Sequence, residues 1–482
     1  MSISAAFHSA ISGLTAASRA AEIVSENIAN AQTLGYSRRS LNLSANIVGP
    51  GVRILGVQRH ADPGIVANRR QSESVFGNSE ALAGFHARFE TLVGTATDPG
   101  SVSMRMAGFE TSLIEAASRP ESPQRLDSAV TRASDLVRTI ADASEGLRSM
   151  RSQADTAIGV QVDRLNQALK DVQALNTKIT ATKAGGSETA GLLDQRQIVI
   201  DEINQIVPVN VAARDHGQVA LFTDGGAILL DGPAAMLSFT PVRDTMPEMT
   251  IDNGALSGLE INGIVVRTDS ARGALRGGTL SAQFEIRDEL AFTAQADLDA
   301  VARDLIERFE TASLDPTTAV GVPGLFTDAG AVFDVVNEIG LAGRLSLNSV
   351  VDRDQGGESW RLRAGLGAAV PGDPGEARQL QAFSQILIER RTPGSTVFGT
   401  GQLTVAQLGS SLMSRAAQNS NQSDRTLSFA AASMTELTRI ELAQGVDTDA
   451  ELQALMIVEQ AYAANARMIE VADEMMQALL RI

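Results

Sequence analysis

Cysteine is absent from all 482 residues, which excludes disulfides and thiolate-held metals and leaves the redox compartment open. Lysine is almost absent too: apart from Lys170, Lys178 and Lys183, every basic residue is arginine. Those arginines are scattered through a chain of net charge −17, so a phosphate backbone is repelled overall and no nucleic-acid partner is expected. Aromatics make up only 4% of residues, leaving Ala, Leu, Ile and Val to fill the cores of long helices. No run approaches the roughly 18 apolar residues of a membrane span, and no membrane insertion is expected. The N-terminus MSISAAFHSAISGL lacks a basic n-region, its first arginine being Arg19, and no apolar h-region follows. A cleaved secretory signal is therefore not expected.

Catalytic constellations are missing as well. His8, His60, His86 and His216 are far apart, without ligand spacing. No phosphate-binding loop, nucleophile elbow or HExxH motif occurs. Asp352-Arg353-Asp354-Gln355-Gly356-Gly357 begins like a calcium loop, but Gly356 and Arg363 occupy positions that must supply oxygen ligands, so a polar turn is expected. Asp447, Asp449 and Glu451 read as helix-start acids favoured by the positive dipole end. No catalytic, cofactor or metal site is assigned.

What the chain does have is periodicity. Ile3, Phe7, Ala10, Leu14, Ala17, Ala21, Val24 and Ile28 follow an unbroken heptad seam on a helix otherwise made of small residues. Leu455, Val458, Tyr462, Asn465, Ile469, Ala472, Met476 and Leu479 repeat it at the other end, after a Thr448-Asp449-Ala450-Glu451 capping-box signature. The same spacing would also suit packing inside one bundle, but two seams enclosing everything else imply termini that meet. Asn465 is the one strongly polar seam member, with Ser25 or Asn27 as expected partners.

A chain of this length suggests two to four domains. The expected fold is mainly α with an inserted β-rich domain. Residues 1–36 with 447–482 form a terminal coiled coil, and 37–207 with 273–313 and 401–446 a helical bundle. Residues 208–272 are β-rich, and 314–400 a mixed, loop-rich middle region. Strand and loop pattern occupies 40–59, with a turn at Gly49-Pro50-Gly51. The longest helical tract, near 126–179, is open to bending at Gly146 or Gly159.

Between the first seam and the first strand, SENIANAQTLGYSRRSLNL changes from helical to alternating across Asn30–Leu34. Asn27, Asn30, Thr33, Gly35, Tyr36 and Arg38 resemble the ANxxTxGYxR signature of bacterial flagellar axial proteins, the rod, hook and hook-associated subunits. Gly445-Val446-Asp447, Glu451-Leu452, Gln460-Ala461-Tyr462, Asn465-Ala466 and Ala472-Asp473-Glu474-Met475 resemble the matching C-terminal signature, in which Ile469 and Met476 continue the seam. Leu192-Leu193-Asp194-Gln195-Arg196 and Phe284-Glu285-Ile286-Arg287-Asp288 are similar to segments of the hook-associated members that form the hook–filament junction. Leu34, Arg39 and Ala463 depart from the family pattern, the first where proline would stiffen the hinge.

The resemblance implies a non-enzymatic structural subunit, extracellular on the flagellum and exported without a cleaved signal. It also implies partners: the hook protein, the second junction protein, copies of itself in a ring or helical layer, and a dedicated export chaperone. It implies no cofactor. Within the family a hook or rod subunit is the alternative, which a β-rich 63–207 would favour; a secreted hydrolase using acids in 314–400 is the alternative of another class. The hinge is expected to turn the chain out of an inner helical layer. Gly35 tolerates the sharp backbone change, Asn30 and Thr33 bond the local backbone, and Tyr36 anchors the emerging strand.

Overall fold

The computed structural model describes residues 3–33, 35–47 and 49–480. Leu34, the departure at the hinge, lies outside them.

Helix α1 (Ile3–Ala29) opens the chain and leads into an antiparallel hairpin of β1 (Arg39–Ala45) and β2 (Val52–Arg59). Helix α2 (Pro63–Val93) starts where Asp62 accepts from the Gly64 and Ile65 amides and Pro63 takes the first helical position. Ser101 likewise caps α3 (Val102–Ser118). Helix α4 (Pro123–Ala184) then runs 62 residues without interruption, roughly 93 Å at 1.5 Å per residue. Neither Gly146 nor Gly159 breaks it. Both let other chain segments approach: a Cβ on Gly146 would lie 2.6 Å from Leu92 Cδ2, and one on Gly159 3.4 Å from Pro241.

Helix α5 (Ala190–Ile206) stops just before Pro208. Two small antiparallel sheets follow. One orders β3 (Val209–Ala213), β4 (Val219–Thr223) and β5 (Ile228–Leu230); the other orders β6 (Leu237–Ser238), β7 (Leu259–Ile261) and β8 (Ile264–Val266). Helix α6 (Gly278–Glu285) passes through a π-helical turn, Ile286–Leu290, into α7 (Ala291–Phe309). That turn marks a buried polar knot. Arg287, fully buried, donates to Asp155 on α4 at 2.7 Å and to Asp288 at 2.7 Å, with Phe239 and Phe284 against its guanidinium. The FEIRD segment thereby pins the middle of α4.

The middle region holds a two-stranded pair, β9 (Phe326–Asp328) with β10 (Leu345–Leu347), and short helices α8 (Leu341–Arg344), α9 (Arg361–Ala364) and α10 (Arg378–Ile388). At Asp352–Gln355 the near-calcium loop forms a 3₁₀ turn in which the Asp352 carboxylate accepts from the Asp354 amide. Helices α11 (Val405–Ala443) and α12 (Thr448–Leu480) complete the chain.

Two hydrophobic clusters fill the interior, and α4 runs through both. Its first half packs with α3, α7, α10 and the start of α11, and there Phe326, Leu341, Leu362 and Phe383 carry residues 314–400 into the same core. Its second half packs with α5, α6 and strands β3–β7. Neither cluster contains any residue of α1, the hairpin or α12. An arm of α2 against the second half of α11, joined by Ser72–Ser433 and Arg69–Glu441, extends from these cores, and α5 meets the hairpin directly through Asp194.

A fragment spanning 63–443 should therefore fold and melt cooperatively, as differential scanning calorimetry would register; a non-cooperative melt would show that the cores need the ends. Acidity should raise its stability. Burial pushes Asp297 and Asp299 on α7 up to about 6, against Arg415 and against the Gly340 and Ala342 amides respectively. Groups raised this way stabilise fully below the ordinary value of 3.8, and the gain is lost as pH rises through about 6. Stability should be higher at pH 5 than at pH 7.5 by on the order of 1–3 kcal/mol, seen as a higher melting temperature. Asp297→Asn/Asp299→Asn should flatten that slope.

Candidate functional site: the terminal switch

Helices α1 and α12 lie antiparallel: Asn27 meets Glu451 at one end, and Gly13 faces Asn465 further along. On α1 the seam residues Ile3, Phe7, Leu14 and Ile28 are half-buried, and Ala10, Ala17 and Val24 buried. On α12, Leu455, Val458, Asn465 and Ile469 are half-buried and Ala472 is buried, whereas Gln460, Tyr462, Met476 and Leu479 are exposed. Asn465 does not bond Ser25 or Asn27. Its amide donates to Ala461 on its own helix at 2.9 Å, and its side chain lies over Gly13, where an added Cβ would come within 2.6 Å. Ser25 turns back to the Ala21 carbonyl, and Asn27 is occupied elsewhere. The match at this position is one of shape, small against polar.

Asn27 is fully buried, and its amide makes four hydrogen bonds. Its Nδ2 donates to the Arg39 carbonyl at 2.8 Å and to Glu451 Oε2 at 3.0 Å. Its Oδ1 accepts from the Tyr36 hydroxyl at 2.8 Å and from the Arg39 amide at 3.0 Å. The side chain is thus saturated, the condition under which a buried polar group specifies one arrangement instead of destabilising all of them. Glu451, 1% exposed, takes Arg38 Nε on its other oxygen at 2.7 Å. One carboxylate from the far end of the sequence therefore holds both the helix before the switch and the strand after it.

The switch is a series of local turns. Asn30 donates to the Glu26 carbonyl at 2.9 Å, the Thr33 hydroxyl donates to Asn30 at 3.3 Å, and the Tyr36 amide donates to the Thr33 carbonyl at 3.1 Å. Gly35 has φ +77°, and a Cβ there would lie 2.5 Å from Ile198 on α5. Both the backbone angle and the close approach require glycine. Burial raises the Tyr36 pKa, partly offset by Arg39, whose guanidinium stacks 4.7 Å from the ring centre.

Arg39 and Arg59, paired at the base of the hairpin, both reach Asp194 on α5, at 2.8 and 2.7 Å. Two residues on, buried Arg196 donates to Asn176 on α4 at 2.9 Å and to the Gly217 carbonyl at 2.7 Å. Burial, with Arg59 nearby, pushes the Arg196 pKa down to about 10. The LLDQR segment is thus a clamp with one jaw on the hairpin and the other in the bundle.

The capping-box expectation needs correction. Glu451 stands in the first turn of α12 as read, but it is buried against Asn27 and Arg38 and closes no capping box with Thr448. Asp447 caps α12, accepting from Asp449 and Ala450 amides, which frees Glu451 to turn inward. Glu451, Arg39, Asp194 and Gly13 escaped the sequence reading as members of the site. Asn27 and Glu451 lie within the two signatures, and their complementary polarity was the only signal available.

The chain-end helices locked by a buried amide–carboxylate pair, and the glycine switch leading to a hairpin, carry the two terminal signatures that resemble flagellar axial proteins. The family descriptions agree: "Flagella basal body rod protein" matches residues 7–36, "Flagellar basal body rod FlgEFG protein C-terminal" matches 443–482, and "Flagellar hook-associated protein FlgK helical domain" matches 87–325. Over its helical domain the chain is similar to flagellar hook-associated protein 1. It is 29% identical to flagellar hook-associated protein 1 of Escherichia coli K12 over 286 residues, 53% of this chain and 52% of that one. Identity to the Salmonella typhimurium protein is 31% over 290 residues, 53% and 51% of the two chains. The chain thus spans about half the length of these relatives in the match, whereas the Bacillus subtilis protein aligns at 22% identity over 97% and 96%. FlgK from Burkholderia pseudomallei superposes with a TM-score of 0.43 at 19% identity, over 55% of this chain and 46% of that one.

Asn27→Ala leaves the Tyr36 hydroxyl, the Arg39 amide and one Glu451 oxygen without this partner, a loss of about 1–3 kcal/mol for unsatisfied buried polar groups. Limited proteolysis should then cut within 30–46 at least tenfold faster while the bundle stays intact. Gly35→Ala should do the same, and adding Ile198→Ala should rescue it only in part, because the φ penalty remains.

Proposed function

We propose that this chain is a structural subunit of the hook–filament junction of the bacterial flagellum, acting by assembly and not by catalysis. The observation that carries this reading is the outer face of α12. Leu452, Met456, Ile457, Met468, Val471 and Met475 point away from α1 and are each 46–66% exposed. Apolar surface of this extent along a helix with one partner marks a contact surface. Stacked copies would cover it, with the helix pairs forming an inner layer and the clamped bundle standing outside.

The partners that fit are the hook protein on one side, the second junction protein on the other, copies of this chain, and an export chaperone that covers the α12 face before assembly. Export without a cleaved signal accompanies this reading. The helical 63–207 region favours it over a hook or rod subunit.

A strain lacking the gene should build hooks but release filament protein into the medium, restored by the parent gene. Ile457→Asp/Val471→Asp, which places charge on the outer face and none in the seam, should leave the purified chain's melting curve within about 1 kcal/mol of the parent, as for other surface substitutions. It should nevertheless fail to restore filaments. Normal filaments with this variant would remove the outer face from the account.

A further inference from the structure

The hairpin holds its tip far from the switch. The Val52 amide donates to Ser12 Oγ at 3.1 Å, and a Cβ on Gly51 would lie 2.2 Å from that oxygen, so the tip is seated beside Ser12. Ser12 is roughly 22 Å along α1 from Asn27 at 1.5 Å per residue. At the tip, Ile47 is 96% exposed, with Ile54 and Leu55 also exposed, and Arg53 makes no ion pair among the described residues. Beneath the switch, at the other end, lies an open groove of about 470 Å³ bounded by α2, α5 and the end of α11.

Groove and tip are complementary. Ile65, Ile198 and Leu442 form the apolar wall, and Leu442 is 66% exposed. Five carboxylates line the groove against Arg38 and Arg69, giving an acidic excess. Three of them gather on Arg69, while Glu202 has no cationic partner among the described residues. An apolar segment carrying one cation fits this lining, and the tip is such a segment. Because tip and groove sit at opposite ends of the same hairpin, a copy cannot fill its own groove.

We infer that the groove receives the hairpin tip of a second copy of this chain, with Ile47 and Ile54 entering between Ile198 and Leu442 and Arg53 meeting Glu202. The contact is head-to-tail, using different surfaces on the two copies, and such contacts propagate into rings or helical layers where self-complementary ones stop at dimers. This inference rests on the reading of the chain as a self-assembling flagellar subunit, and it specifies how neighbouring copies engage.

The absence of cysteine makes the test direct. Ile47→Cys and Leu442→Cys, both at exposed positions, are expressed together in a strain lacking the natural gene, and isolated flagella are mildly oxidised. A disulfide-linked dimer is expected from the two variants together and from neither alone. Arg53→Glu in the first copy should lower its yield at least tenfold, and Glu202→Arg in the second should restore it. If both variants are present in the isolated flagella and no dimer forms, or if Ile47→Cys alone gives one, the inference is overturned while the subunit reading stands. Absence of the protein from flagella overturns the subunit reading itself, and this inference with it.

Discussion

The structure depends on one buried side-chain pair, Asn27 with Glu451. It joins residues 424 positions apart, and without it the two end helices would share mainly their apolar seam and the approach of Asn465 to Gly13. Apolar burial is non-directional, so such a seam specifies register weakly. A saturated amide facing a carboxylate supplies the missing specificity. It admits one alignment, because any slip would leave a buried acceptor and donor unpaired. Arg38 on the same carboxylate ties that alignment to the exit of the strand.

From that pair the constraint passes outward in discrete steps. Gly35 turns the chain, Arg39 and Arg59 bring the hairpin base to Asp194, and Arg196 carries the connection into α4. The bundle itself is held by apolar burial on either half of α4 and by the Arg287–Asp155 knot at its middle. The chain therefore combines a body with its own two apolar cores and an end unit whose outer face exposes much apolar surface. Such a division suits a subunit whose ends complete their burial only among neighbours.

Much of this was legible in the sequence, for physical reasons. Heptad spacing reveals a helix face directly, and both seams fall on helices, α1 and α12. The switch glycine could be read because a change from helical to alternating pattern demands an unusual backbone angle. What could not be read was tertiary pairing of polar groups. Glu451 looks like any acid in a first helical turn, and only the position of Asn27 distinguishes it. Gly146 and Gly159 look like breaks because glycine weakens a helix locally, whereas packing against Leu92 and Pro241 keeps α4 continuous through both. Residues 314–400 have little period to read, since their short elements are placed by the core they join and not by their own propensity.

Native-state hydrogen exchange on the full-length chain tests the central claim most directly, because it reads the opening free energy of each helix separately. Amides of α1 and of α12 near Glu451 should exchange with one common opening energy, well below that of α4. Substituting either Asn27 or Glu451 should lower both helices together without touching α4. If α1 and α12 open independently, or if α4 loses protection along with them, the ends are not a unit locked by this pair.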